Sequence, residues 1–460
     1  AGSDPSAPGR PPLSPQQPRL LTEIPGPKSR ALVAREAPYI APGLQSIATL
    51  SGLAVARGEG CTFEDVDGNR FLDIAAGICV NALGHAHPRY RQILKDQIDE
   101  VTVGSLTTAR RAEALARVAS HTPPGLSKIQ LYSGGTEAVE AALRLAKSYT
   151  KKFEFLAFWG GFHGKTAGTL SLIGDGTKNH LGPSMPGSYH APYASCYRCP
   201  LGLKYPSCGI ECAEFARKVV RNSTTGALAA ILIEPIQGTA GNVVPPREFM
   251  PAIRDVAREN DALLVSDEMI CGFGRTGRWF GCEHWGVVPD VVTMGKGLGN
   301  GFPVSGLAST PEITAAKPWG APSGSSSSYG GNPMAGAAIL ASVSVIEEER
   351  LVENAEKVGA FMLARLREMQ ERFPFIGDVR GRGLLIGVDL VRDRATKEPL
   401  AKEVCVRLFQ AGLRRGLVSM VYSPSFRVNP PLTIDEGTAA NALSILEETF
   451  AELERSGSWR

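Results

Sequence analysis

The chain contains no apolar run of the eighteen or so residues that a membrane-spanning helix needs. It has almost no excess of either charge. The 49 Lys and Arg against 46 Asp and Glu leave a net +3, too near neutral to suggest nucleic acid or an acidic surface as partner. Cysteine is sparse, nine in 460 residues, which excludes a disulfide scaffold and favours free thiols. The seven histidines show no paired ligand spacing, so no catalytic metal is expected. The N-terminal stretch lacks the basic start and apolar core of a signal peptide, and a soluble cytoplasmic protein is the expectation. What the chain does have is 43% hydrophobic residues, enough for a sizeable core spread over two or three domains.

Residues 1–19 hold six prolines among Ser, Gly and Gln and read as a disordered extension. Residues 20–85 form an N-terminal segment, in which Thr62–Asp73 predicts two short strands around an Asp-Gly-Asn turn. Between residues 86 and 340 short apolar runs alternate with helical patterns. Ile129–Tyr132, Glu154–Phe158, Ala229–Ile233, Ala262–Val265 and Val291–Met294 are candidate strands. Helical patterns at Glu137–Ser148, Glu211–Val220 and Arg247–Asn260 fall between them. That rhythm predicts an α/β fold, a mostly parallel sheet flanked by helices. One long helix is expected from the Ala337–Ala360 region on into Phe361–Phe373, opening a smaller α+β domain over residues 341–460.

In open parallel sheets ligands gather at the carboxyl ends of the strands, and here those ends carry chemistry. Ile129–Tyr132 runs into Ser133-Gly134-Gly135-Thr136 before a helix, a natural phosphate seat of free N–H groups. Glu154–Phe158 leads to Gly161-Phe162-His163-Gly164, and Ala229–Ile233 ends at Glu234. Ala262–Val265 ends at Ser266-Asp267-Glu268, and Val291–Met294 at Gly295-Lys296-Gly297. A lysine just past a buried strand is placed to act as a Schiff-base nucleophile, and a carboxylate just past another can meet a buried cationic nitrogen. Pyridoxal 5′-phosphate (PLP) needs that pair of groups, with a phosphate seat and an aromatic face besides.

These residues resemble those of the class III (ω-amino acid) aminotransferases, a fold-type I PLP family. The resemblance runs from about Pro25 to about Leu446. It is most specific in Asp267-Glu268-Met269-Ile270-Cys271-Gly272-Phe273-Gly274-Arg275-Thr276-Gly277, in Pro289-Asp290 and in Gly295-Lys296-Gly297-Leu298. It implies a large PLP-binding domain and a smaller domain built from both chain ends. Lys296 would hold the cofactor as a Schiff base and shuttle a proton, and Asp267 would pair with the pyridinium nitrogen. Gly135 and Thr136 would hold the phosphate. Phe162 would stack on one ring face and Met269 on the other, with Glu234 alongside. His163 is either a participant or a buried structural histidine. Ser328 stands where the family reaches the phosphate of a neighbouring subunit, which implies a homodimer or larger homo-oligomer. Arg427 would grip a substrate carboxylate, and Ile78, Val80 and Trp159 would line the substrate pocket.

The activity implied is transfer of an amino group from an amino acid or primary amine to a keto acid, pyruvate or 2-oxoglutarate. Thr239 stands where the 4-aminobutyrate and ornithine enzymes carry a glutamate that masks the arginine, so that charged gate cannot form here. The Gln237–Gly241 and Pro25–Ser29 stretches are also similar to those of family members that racemise amino acids, which keeps racemisation as the alternative. Finally, Cys196, Cys199, Cys208 and Cys212 lie in an insertion before Glu234. Two close pairs suit either a structural metal site or free thiols and a labile disulfide.

Overall fold

The computed structural model describes residues 16–460. Residues 1–15 of the expected extension lie outside the described residues. Within residues 16–19, Arg19 exchanges backbone hydrogen bonds of 3.0 and 2.8 Å with Arg70. That contact lays the start of the described chain along a three-stranded antiparallel sheet of β1 (Val55–Glu59), β2 (Thr62–Asp65) and β3 (Arg70–Asp73). The turn between β2 and β3 is held by Asp65, whose carboxylate accepts the N–H groups of Asp67 and Asn69 at 2.9 Å.

The centre of the molecule is a seven-stranded sheet. Its strands are β4 (Lys128–Tyr132), β5 (Glu154–Phe158), β6 (Ser188–Ala191), β7 (Leu228–Ile233), β8 (Leu263–Asp267), β9 (Val291–Met294) and β10 (Ser305–Ser309). They lie in the order β4-β10-β9-β8-β7-β5-β6. All run parallel except β10, which opposes both β4 and β9. Every residue of β5, β7, β8, β9 and β10 is buried, as expected for a sheet covered by helices on both faces. The helix Gly135–Thr150 covers one face, packing its alanines and leucines on the sheet, while Glu211–Ser223 and Phe249–Glu259 belong to the apolar cluster on the other.

The long helix expected from Ala337 to Phe373 is two helices, Pro333–Glu348 and Leu351–Arg372. Arg350 breaks it with φ +52°. Glu347, Glu348 and Glu349 crowd the negative end of the first helix dipole, which disfavours continuing it. Beyond lie β11 (Ile376–Arg382), β12 (Leu385–Asp393) and β13 (Glu398–Pro399), paired antiparallel. The two-residue β14 (Leu417–Val418) joins β3 in parallel, tying the C-terminal segment to the N-terminal sheet. β15 (Ser425–Val428) pairs antiparallel with β12, Gly387 facing Arg427 and Asp389 facing Ser425. Among the described residues no helix is long and apolar enough to cross a membrane.

Candidate active site

The parallel strands deliver their chemistry to one edge of the sheet. Asp267, the last residue of β8, is 1% exposed. One carboxylate oxygen meets His163 Nδ1 at 2.7 Å, and the other accepts from the Thr293 hydroxyl and the Met269 N–H, each at 3.1 Å. Thr293 is the register partner of Asp267 on β9, so the sheet itself brings the hydroxyl to the acid. Burial opposes a charge on His163, but the hydrogen bond and charge of Asp267, with Glu234 nearby, outweigh it and raise the imidazole above its ordinary value. His163 is therefore joined directly to the acid. Glu234, at the end of β7, accepts from the N–H of Phe162 and of Gly238 at 2.9 Å and thereby fixes the Phe162 turn. Burial pushes its carboxyl up, against the charge of His163.

Lys296 follows β9 across Gly295. Its φ is +44°, a left-handed conformation that side chains rarely take and that the surrounding turn must sustain. The N–H groups of Gly299 and Asn300 close that turn onto the Lys296 carbonyl at 3.1 and 3.2 Å. Asn300 in turn accepts the Leu83 N–H at 2.8 Å, and the Tyr90 hydroxyl donates to the Gly299 carbonyl at 2.6 Å. Lys296 is half-buried, and its ammonium has no hydrogen-bond or ion-pair partner among the described residues.

Gly135 opens the helix after β4, leaving the first N–H groups of that helix without intrahelical partners. Glu137 accepts the N–H groups of Ser133 and Gly134 at 2.8 Å, which shapes the turn before it. The Thr136 hydroxyl lies 2.8 Å from that of Thr166 and 2.9 Å from that of Thr169. Met269 fits against two glycines: a Cβ on Gly295 would come within 2.6 Å of its sulfur, and one on Gly135 within 3.1 Å.

Arg427 is half-buried on β15, with no hydrogen bond or ion pair to any described residue. Burial lowers its pKa from the ordinary value; Cys79, Tyr422 and Glu234 act the other way. Ile78 and Val80 flank Cys79 at a tight turn in which Ala76, Gly77, Ile78 and Cys79 all have positive φ. Trp159 is 41% exposed and packs against Phe215. It lines an open cleft of about 1100 Å³ with Gly160, Gln237 and residues of the cysteine insertion. Ser328 is exposed in the loop before the helix Pro333–Glu348. All four insertion cysteines are free thiols lining one small cavity. No three of His, Cys, Asp or Glu among the described residues are arranged to hold a metal ion.

Sequence reading missed Thr293, although a hydroxyl in the apolar run Val291-Val292-Thr293-Met294 was a visible signal. It also missed Tyr422 and Asn300, for which no local signal exists, and it read Glu137 only as the opening of a helix and not as the residue that shapes the turn before it.

The residues fit PLP on their own evidence. A buried carboxylate faces the same strand ends as a partnerless amine, a glycine-floored space bounded by Met269, and a helix start with free N–H groups. Comparison with known proteins agrees. The family model for class-III aminotransferases matches residues 46–450. A leucine/methionine racemase of Thermococcus litoralis is 34% identical over 88% of this chain and 92% of its own. A 4-aminobutyrate aminotransferase of Mycobacterium tuberculosis is 36% identical over 95% of this chain and 99% of its own. Among solved structures, a thermostable (S)-enantioselective ω-transaminase from Thermomicrobium roseum superposes with a TM-score of 0.85. It is 31% identical and covers 92% of this chain and 98% of its own.

Proposed function

The chain belongs to the class III aminotransferases, and we propose that the PLP-dependent transfer it performs is divided among Lys296, Asp267, the Gly135–Thr136 turn and Arg427. Bound here, PLP supplies an aldehyde that condenses with amines and a ring that accepts the electron pair released at the substrate carbon. Lys296 is the amine that bonds the cofactor, and its Nζ then holds the proton taken from the substrate carbon. Its placement on a strained, strapped turn supports that role. Asp267 keeps the ring nitrogen protonated, and its bonds to His163, Thr293 and the Met269 N–H hold the carboxylate in one orientation. The first N–H groups of the helix Gly135–Thr150 and the Thr136 hydroxyl take the phosphate. Phe162 and Met269 bound the ring faces.

Arg427 takes the carboxylate of an amino acid donor and of the keto acid acceptor, pyruvate or 2-oxoglutarate. The observation that carries this is a half-buried guanidinium with no anionic partner among the described residues. Ile78, Val80 and Trp159 bound the rest of the substrate. Ser328 serves the site of a second copy; its loop also exposes Tyr329 (65%), and Leu106 (84%) and Tyr39 (89%) are further uncovered apolar residues that a second copy could cover. A cytoplasmic location completes the reading.

The test is the visible spectrum of the purified protein with PLP, recorded as amines are added without keto acid. Conversion of the cofactor band to that of the aminated form supports transamination and identifies the donors. The likeness to amino-acid racemases favours a second reading, in which the band persists while an amino acid loses optical activity. Lys296→Ala should abolish turnover in either case; undiminished activity would sink the mechanism.

A further inference from the structure

The cysteine insertion does more than extend the surface. Its Arg198 reaches across the chain to β12, donating from Nη1 to Asp389 at 2.6 Å and from Nε to the Lys397 carbonyl at 3.2 Å. Tyr197 sits between two cations, with the Arg198 guanidinium 5.2 Å and the Lys397 ammonium 5.0 Å from its ring centroid. Lys397 also donates to the Tyr197 carbonyl at 2.6 Å.

Asp389 is the hub. It is 3% exposed and also accepts from Arg380 and from the Ser425 hydroxyl. Burial opposes its charge, but Arg380, Ser425 and Arg198 outweigh burial and hold the carboxyl below its ordinary range. Arg380 reaches further, donating to the Gly241 carbonyl at 2.7 Å in the loop that follows Glu234. Three segments remote in sequence thus meet on one buried carboxylate. Ser425 and Arg427 are two apart on β15, so their side chains share one face of the strand. The network is anchored one step from Arg427, on Arg427's own side.

We propose that Tyr197 and Arg198 form a latch that positions Arg427 for the substrate carboxylate, and that this makes the insertion a specificity element. The proposal rests on the reading of Arg427 given above. A free guanidinium on a four-residue strand has many rotamers and a movable base. Misplacing a positioning group by about 1 Å can cost on the order of a hundredfold in rate. A latch onto the strand's cross-strand partner fixes that base without touching substrate.

Two variants break it independently. Arg198→Ala removes the bond to Asp389. Gly377→Ala evicts Tyr197, because its Cβ would lie 2.2 Å from the tyrosine hydroxyl and 2.8 Å from Val391. The holoenzymes are mixed with aminooxyacetate or with O-methylhydroxylamine, both of which displace the Lys296 amine from the cofactor's aldehyde carbon but only the first of which carries a carboxylate. The loss of the cofactor band gives each rate. In both variants the preference for aminooxyacetate should fall roughly tenfold while the O-methylhydroxylamine rate holds, and Arg198→Lys should recover most of it. A wild-type preference in both variants, or equal loss with both probes, overturns the latch. Arg427→Ala is the control: if it keeps the preference, the reading of Arg427 itself fails; if it loses the preference while both latch variants keep it, only the latch fails.

Discussion

At the scale of single residues, charge and burial decide more than contact. Asp267→Asn preserves volume and removes one charge. Hydrogen bonds to charged groups contribute roughly 1.5–3 kcal/mol, so turnover should fall on the order of a hundredfold, with faster loss of PLP on dialysis. Turnover near the wild-type rate would detach Asp267 from the ring nitrogen. The neighbouring Glu268 behaves differently. It is fully buried and accepts the N–H groups of Gly281 at 2.7 Å and Cys282 at 2.8 Å, yet burial raises its carboxyl from 4.5 to about 7. Between those values the folded chain keeps a proton that the unfolded chain has released. Stability therefore falls as pH rises through that window, and the full penalty, roughly 3 kcal/mol, stands above pH 7. Glu268→Gln should raise the melting temperature relative to wild type more at pH 8 than at pH 5. A difference between the two proteins that does not change with pH would refute the assignment.

At the scale of elements, the break at Arg350 has a measurable cost. A side chain at φ +52° pays about 1–2 kcal/mol that glycine does not, offset in part by glycine's greater freedom when unfolded. Arg350→Gly should therefore stabilise by about 0.5–1 kcal/mol, and Arg350→Val should destabilise, both read by thermal melting. The same break marks where sequence reading stops. Strands Glu154–Phe158 and Val291–Met294 were legible to the residue because short apolar runs stopped close to glycines, and the polar residues just past Val291–Met294, Ala262–Val265 and Ala229–Ile233 marked Lys296, Asp267 and Glu234 as candidates. Ser305–Ser309 was not legible: Ser-Gly-Leu-Ala-Ser has no β-branched residue, and only its pairing with β4 and β9 makes it a strand. The Tyr197–Arg198 latch was equally hidden, because its partner Asp389 lies 191 residues away.

At the scale of the whole molecule, the question is whether one chain makes a complete site. Ser328 is exposed just before the Tyr329-Gly330-Gly331-Asn332 turn, and its hydroxyl has no hydrogen-bond partner among the described residues. If Ser328 reaches a neighbour's phosphate, Ser328→Glu places a carboxylate against that phosphate and disables the neighbour's site, while Lys296→Ala disables its own. Each variant alone gives dimers with no working site. Co-expressed with different tags, the two chains form mixed dimers in which one site pairs the intact Lys296 with the intact Ser328. Random pairing makes half the dimers mixed, so about a quarter of wild-type activity should return. If Ser328 acts within its own chain, each mixed dimer holds two damaged sites and nothing returns. Isolating the doubly tagged species separates these outcomes: about half of wild-type turnover in that fraction means shared sites, and none means that each chain serves itself.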